Sequence, residues 1–153
     1  MVIEKKLLEM GIELPETPKP VAAYIPAIRS GDLVFTSGQI PVVRGEVKYA
    51  GKVGTDISIE DAYQAAKICA LNALSAAKSV VGDLDKIDQV VKVVGFVNSI
   101  PGFTQQPAVI NGASEFFKEL FGERGIHARS AVGVAELPLN VAVELEVIFR
   151  VKK

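Results

Sequence analysis

Tryptophan is absent from this chain of 153 residues, and cysteine and histidine occur once each, as Cys69 and His127. A single cysteine excludes an internal disulfide and fits a reducing compartment. One histidine with one cysteine supplies no ligand set for a structural zinc or an iron–sulfur cluster, so no metal is expected. A ribonuclease that needs two histidines is likewise excluded within one chain. No apolar run reaches the length of a membrane span, and the acidic, punctuated N-terminus is no signal peptide, so a cytoplasmic protein is expected. Clusters of lysine and arginine are missing and the net charge is −1, which speaks against a nucleic-acid partner. Also absent are a Gly-x-x-x-x-Gly-Lys phosphate loop, a Gly-x-Gly-x-x-Gly dinucleotide turn and a Gly-x-Ser-x-Gly nucleophile elbow.

What is present is apolar. Hydrophobic residues make up 49% of the chain although aromatics contribute only 7%. An α/β chain of this size with such an excess is expected to hide part of it between subunits. Residues 2–10 read as a short helix closed by Gly11, and Pro15, Pro18 and Pro20 impose an extended connector that packs along the domain edge. Residues 1–20 therefore form an N-terminal extension, and residues 21–153 form one domain. Val21–Ile28 and Leu33–Gly38 read as a hairpin about Arg29-Ser30-Gly31-Asp32. Residues 42–57 read as an irregular polar connection. Ser58 offers an N-cap with acids in the first turn, and Ala62, Ala66, Cys69, Ala73, Ala76 and Val80 mark an amphipathic helix ending at Gly82. On that face Cys69 is expected to be an inert core thiol. Asp83-Leu84-Asp85-Lys86 is a turn. Residues 89–98, almost continuous in valine, read as a central strand. A second helix runs from Gln105 or Gln106 to Phe121, closed by Gly122 and Gly125.

The stretch 127–150 carries the charges that call for an explanation. It reads as two strands joined by a Leu137-Pro138-Leu139-Asn140 turn, the second alternating Val141, Val143, Leu145, Val147 and Phe149 with Ala142, Glu144, Glu146 and Ile148. Arg129 opens the first strand and Glu144 lies in the second, among apolar residues where a charge needs a partner, solvent or a task. Arginine's planar fork suits a small organic carboxylate, and a carboxylate beside it could hold water for attack on an electrophilic carbon. Equally, Arg129 and Glu144 could be no more than an ion pair within or between subunits. Ser37-Gly38 after a strand could turn a backbone N–H toward a ligand, with Tyr24 nearby, or could merely mark a bulge. His127 reads as a surface or interface residue. The element order β-β-α-β-α-β-β indicates an α+β fold, a mixed β-sheet with two helices packed on one face.

Thr36-Ser37-Gly38-Gln39-Ile40-Pro41 and Ala128-Arg129-Ser130, followed by Leu137-Pro138 and Val143-Glu144-Leu145-Glu146, resemble the YjgF-like reactive intermediate deaminase (Rid) superfamily, also called L-PSP endoribonucleases. The resemblance spans about residues 20–150. It implies a chorismate-mutase-like α+β fold and a homotrimer with ligand sites in the clefts between subunits. The implied activity is hydrolysis of enamines and imines such as 2-aminoacrylate to a 2-keto acid and ammonia, without metal or organic cofactor. By its motifs Arg129 would bind the substrate carboxylate and Gly38 would offer its backbone N–H, with Ser37 beside it. Tyr24 would be the tyrosine of the first strand, Glu144 the glutamate that positions water, and Asn111 the asparagine of the second helix. Four departures mark a divergent subgroup: Ala131 where many deaminases carry cysteine, Ala22-Ala23 before Tyr24, His127 in place of a proline, and the additional N-terminal extension through Pro20. A sensor that binds keto acids without turnover and an endoribonuclease or translation inhibitor are the alternatives.

Overall fold

Helix α2 (Ile59–Val81) and strand β5 (Ile87–Asn98) set the frame of the molecule. The computed structural model describes residues 1–153 except Pro18, Pro20 and Val21. The Ser58 hydroxyl caps α2 by accepting from Asp61 N–H at 3.1 Å, and Gly82, at φ 81°, ends it in a conformation that a side chain would strain. Its inner face is largely alanine, with Ala62, Ala65, Ala66, Ala70, Ala73 and Ala77 fully buried, so its axis lies close against a sheet. Cys69 shares that face, and burial pushes its thiol well up, with the Glu144 charge adding to the effect, which keeps it an inert core group.

The main sheet has five strands in the order β1-β2-β7-β5-β6, where β1 is Ala27–Ser30, β2 Leu33–Thr36, β6 Ala128–Val134 and β7 Val143–Val151. Only β5 and β6 run parallel; the other neighbours are antiparallel. Helix α3 (Gln106–Phe121) lies beside α2 on the same face. The two helices approach so closely that a Cβ at Gly112 would overlap the Tyr63 carbonyl. The Tyr63 hydroxyl spans the pair to Glu115, a hydrogen bond that pushes the phenol up to about 12. Under the helices Phe117 meets Phe149 of β7 edge-on, ring centroids 5.9 Å apart. Removing a ring so placed costs about 3–5 kcal/mol.

Helix α1 (Val2–Glu9) is anchored at both levels, since Ile3 and Leu7 join the same hydrophobic core and Val2 N–H and Ile3 N–H donate to the Asp85 carboxylate at 2.7 and 2.8 Å. The expected connector prolines Pro18 and Pro20 lie outside the described residues, as does the expected strand start at Val21. The observed β1 begins later, at Ala27, after Pro26, which has no N–H to give a ladder. Residues 42–57, expected to be irregular, contain a small hairpin of β3 (Val42–Val43) and β4 (Glu46–Val47).

The largest departure from expectation concerns residues 127–150. β6 and β7 are not a hairpin; β5 lies between them, paired in parallel with β6 and antiparallel with β7. The Leu137–Asn140 segment is a crossover past the end of β5. Leu139 and Asn140 both take positive φ, 56° each, and the Asn98 amide donates to the Asn140 side chain (3.1 Å) and the Val141 carbonyl (3.1 Å) to hold the turn there. Lys52 ties the same corner, donating to Asn98 Oδ1 at 2.8 Å and to the Ala135 carbonyl.

Among the described residues, no other element of the chain covers the sheet face away from the helices. Ile28, Phe35 and Val132 are 56%, 37% and 44% exposed there.

Candidate functional site

Strand parity decides where each charge points. On β7 the buried Val143, Leu145, Val147 and Phe149 face the helices, so Glu144 and Glu146 face the open side. On β6, Arg129 is registered with the buried Val93 and, across β5, with Val147, so Arg129 faces the helices. Arg129 and Glu144 thus project to opposite faces of the sheet with a strand between them. The expectation that they lie side by side is overturned for a single copy of the chain.

Around Arg129 the structure assembles more than the sequence suggested. Nη1 donates to Asn111 Oδ1 at 2.8 Å and to Ser114 Oγ at 3.1 Å, both on α3, while Nε and Nη2 make no hydrogen bond among the described residues. Asn111 and Ser114, three apart on a helix, share the face turned to β6. His127, two residues before Arg129 and on the same face of the chain, is half-buried, 2.9 Å from Ser114 Oγ through Nε2 and 2.7 Å from the Gly125 carbonyl through Nδ1. Burial lowers the imidazole from its ordinary value, the Gly125 bond working the other way and the Arg129 charge adding to the lowering. His127, expected at the surface or an interface, is therefore half-buried and part of the cluster. Ser114 was missed altogether, and the signal that could have found it is its i+3 spacing from Asn111. Ala131, where a thiol would fit the family's commoner pattern, packs against the core.

Ser37, Gly38 and Glu144 form a second group on the other side of β7. Ser37 Oγ donates to the Ile25 carbonyl at 2.6 Å and Ser37 N–H to the Pro26 carbonyl at 2.7 Å, which fixes the bend after β2. Past it Gln39 exchanges backbone hydrogen bonds with Leu145 at 2.7 and 2.9 Å, which brings the exposed Gly38 beside Glu144. A Cβ at Gly38 would stand 2.5 Å from Glu144 Oε1 and 3.0 Å from its carboxyl carbon, so a side chain here would shift the carboxylate from this position. Gly38 N–H has no hydrogen-bond partner among the described residues and is open to a ligand. Burial raises the Glu144 carboxyl above its usual range, and the neighbouring Glu146 charge adds to it. Tyr24 is not on the first strand. It lies in the irregular segment before β1, 59% exposed, within a few residues of the Ser37 contacts but bonded to neither group. A shallow depression on the open face, lined by Phe35, Lys92, Val94, Glu146 and Ile148, includes none of the candidate residues.

The sheet thus carries a half-free guanidinium on one face and a carboxylate over a glycine on the other. Residues 4–150 match the family model described as "YjgF/chorismate_mutase-like, putative endoribonuclease", and the chain belongs to that family. It is 40% identical over 147 residues to Protein TCP17 of Trypanosoma cruzi, covering 95% of this chain and 92% of the relative. It is 34% identical over 139 residues to the 2-iminobutanoate/2-iminopropanoate deaminase of Dermatophagoides farinae, covering 90% and 92%. Among solved structures, Atu1372 from Agrobacterium tumefaciens superposes with a TM-score of 0.92 at 44% identity, covering 99% of this chain and 93% of that one. The fold is thereby the YjgF/chorismate-mutase-like α+β fold.

Proposed function

We propose that this protein hydrolyses reactive enamines and imines of the 2-aminoacrylate type to 2-keto acids and ammonia. The observation that carries the reading is Arg129: Nη1 is pinned by Asn111 and Ser114, which leaves Nε and Nη2 as a pre-aimed fork for a carboxylate. The deaminase name of the Dermatophagoides farinae relative supports the chemistry.

In this reading Arg129 binds the substrate carboxylate. Protonation at the enamine carbon gives the imine, water held by Glu144 adds to the imine carbon, and the tetrahedral carbinolamine expels ammonia to leave the 2-keto acid. The raised carboxyl of Glu144 suits a group that takes a proton from water and returns one to the leaving nitrogen. Because Arg129 and Glu144 face opposite sides of one sheet, we assign the complete site to a cleft between copies, one bringing the Arg129 group and its neighbour the Ser37–Gly38–Glu144 group, with Tyr24 at the rim. The uncovered apolar sheet face supports association of copies. A head-to-tail contact of this kind closes into a ring, and a homotrimer is the ring proposed.

The test supplies 2-aminoacrylate from a serine dehydratase and follows pyruvate. Wild type accelerates pyruvate release, and Arg129→Ala lowers kcat/KM about a hundredfold, as expected for loss of two charge-assisted hydrogen bonds. An unimpaired Arg129→Ala protein, or no rate above background for wild type, sinks the proposal. Sedimentation of the wild type tests the trimer.

A further inference from the structure

His127 and Ser114 do something for Arg129 that its contact with Asn111 does not. The Gly125 carbonyl can only accept, so the His127 nitrogen 2.7 Å from it, Nδ1, carries the hydrogen. In the neutral ring Nε2 is then an acceptor, and the partner 2.9 Å away, Ser114 Oγ, donates to it. With its hydrogen so committed, Ser114 presents lone pairs to the third group in reach, Arg129 Nη1 at 3.1 Å. Every donor in the series points the same way, from Arg129 to Ser114 to His127 to the Gly125 carbonyl. Dipoles aligned in this manner strengthen one another and all oppose the arginine's positive charge. The ring itself packs edge-on to Phe117, centroids 6.1 Å apart. Burial also lowers the imidazole from its ordinary value, which favours the neutral ring.

We propose that His127 and Ser114 are positioning residues for carboxylate recognition: His127 orders the Ser114 hydroxyl, which in turn fixes the rotation of the Arg129 guanidinium and the direction of its free fork. This deepens the deaminase reading and rests on Arg129 being the carboxylate anchor. Neither residue touches the reacting carbon. Their effect falls on binding of the carboxylate, which is present in substrate and product alike, and so on KM and not on kcat.

The experiment uses the full chain with pyruvate as probe, titrated calorimetrically, together with kcat and KM for 2-aminoacrylate and thermal unfolding of each variant. His127→Phe keeps the ring and removes the acceptor, and Ser114→Ala removes the link. Each is expected to weaken pyruvate binding and raise KM about fivefold, the size of one net hydrogen bond, with kcat held within about twofold. His127→Gln places an oxygen near the position of Nε2, can accept the Ser114 proton, and is expected to bind pyruvate as wild type does. The double variant His127→Phe/Ser114→Ala is expected to be no worse than Ser114→Ala alone, because the two losses are one. Should His127→Phe fail to fold, the contrast between His127→Gln and Ser114→Ala carries the test. Unchanged binding in Ser114→Ala, equal losses in the Gln and Phe variants, or fully additive losses in the double variant overturn the proposal. Arg129→Ala separates the two levels: if it binds pyruvate normally, the anchor reading itself falls, whereas its loss of binding beside a normal Ser114→Ala sinks the relay alone.

Discussion

Arg129 and Glu144 differ in what surrounds their charge. The guanidinium is met by acceptors from α3 and by a relay that ends on a backbone carbonyl, so its position is specified by partners. The carboxylate is specified by space: it lies over Gly38, where no side chain stands, and its neighbours raise its proton affinity without pairing it. A group held by partners is suited to binding an ion of constant charge. A group held by shape, with its proton affinity raised, is suited to exchanging protons. In the proposed reading, binding and proton transfer are divided between two faces of one sheet, each built on different terms.

The contrast is broken most severely by Arg129→Lys, which keeps the charge and loses the fork. Lysine cannot donate to Asn111 and Ser114 while gripping a carboxylate bidentately, and kcat/KM is expected to fall some thirtyfold or more, mostly through KM, in the coupled dehydratase assay. Next in size is Gly38→Ala. The added methyl displaces the end of the flexible Glu144 side chain, so kcat drops about tenfold with a smaller change in KM, while stability read by urea unfolding changes by less than about 1 kcal/mol. Equal activity of Gly38→Ala and wild type would show that Glu144 does not work from its observed position.

A subtler change sharpens the contrast on the Glu144 side. Glu144 must be ionised to accept a proton from water, and its carboxyl is raised by burial first and by Glu146 second. Activity therefore falls on acidification through this raised value, and Glu146→Gln, which removes a like charge, shifts the acid limb of kcat/KM toward lower pH. The stability sign is opposite to that of a paired carboxylate: folding favours the protonated form, so Glu144 costs stability as pH rises through its folded value, and Glu144→Gln gains stability at neutral pH. The smallest effect belongs to a charge distant from both groups. The Ile3 and Val2 N–H groups hold the Asp85 carboxyl well below the usual range, together with the chain's amino group. That contribution is present above the ordinary carboxylate range and is lost as pH falls through the depressed value. Asp85→Asn is expected to speed amide exchange in α1 and lower Tm by a few degrees while leaving kcat/KM unchanged.

Much of this was readable in local chemistry. α2 starts at the Ser58 cap and stops at Gly82, and α3 ends at Gly122, where periodicity and capping put them. Residue type and resemblance together name Arg129, Asn111, Gly38 and Glu144 as candidates. Strand pairing was not readable, because a connection as short as Leu137–Asn140 has the length and composition of a hairpin turn. The competing pairing partner, β5, lies some thirty residues earlier, and nothing in β6 or β7 announces it. From that one misreading followed the error of placing Arg129 beside Glu144. Tyr24 was drawn into a strand because Ala-Ala-Tyr-Ile looks extended, although Pro26 delays the ladder to Ala27. The sequence places His127 only at the surface or an interface, because the role of a lone histidine depends on what packs against it, here a serine thirteen residues away.

β5 finally acts as a ruler. Its two register shifts fall between Ile87 and Lys92, and from there to Val97 the ladders on both sides are regular. Val93 carries the phase of Arg129 on one flank and Phe96 that of Glu144 on the other. An insertion or deletion upstream can be absorbed where the strand is already irregular. One inside Val93–Phe96 changes the phase between the two ladders by one residue and turns one of the charges to the wrong face. The odd number of residues that separates the level of Arg129 on β5 from that of Glu144 is thus what keeps the two charges on opposite faces.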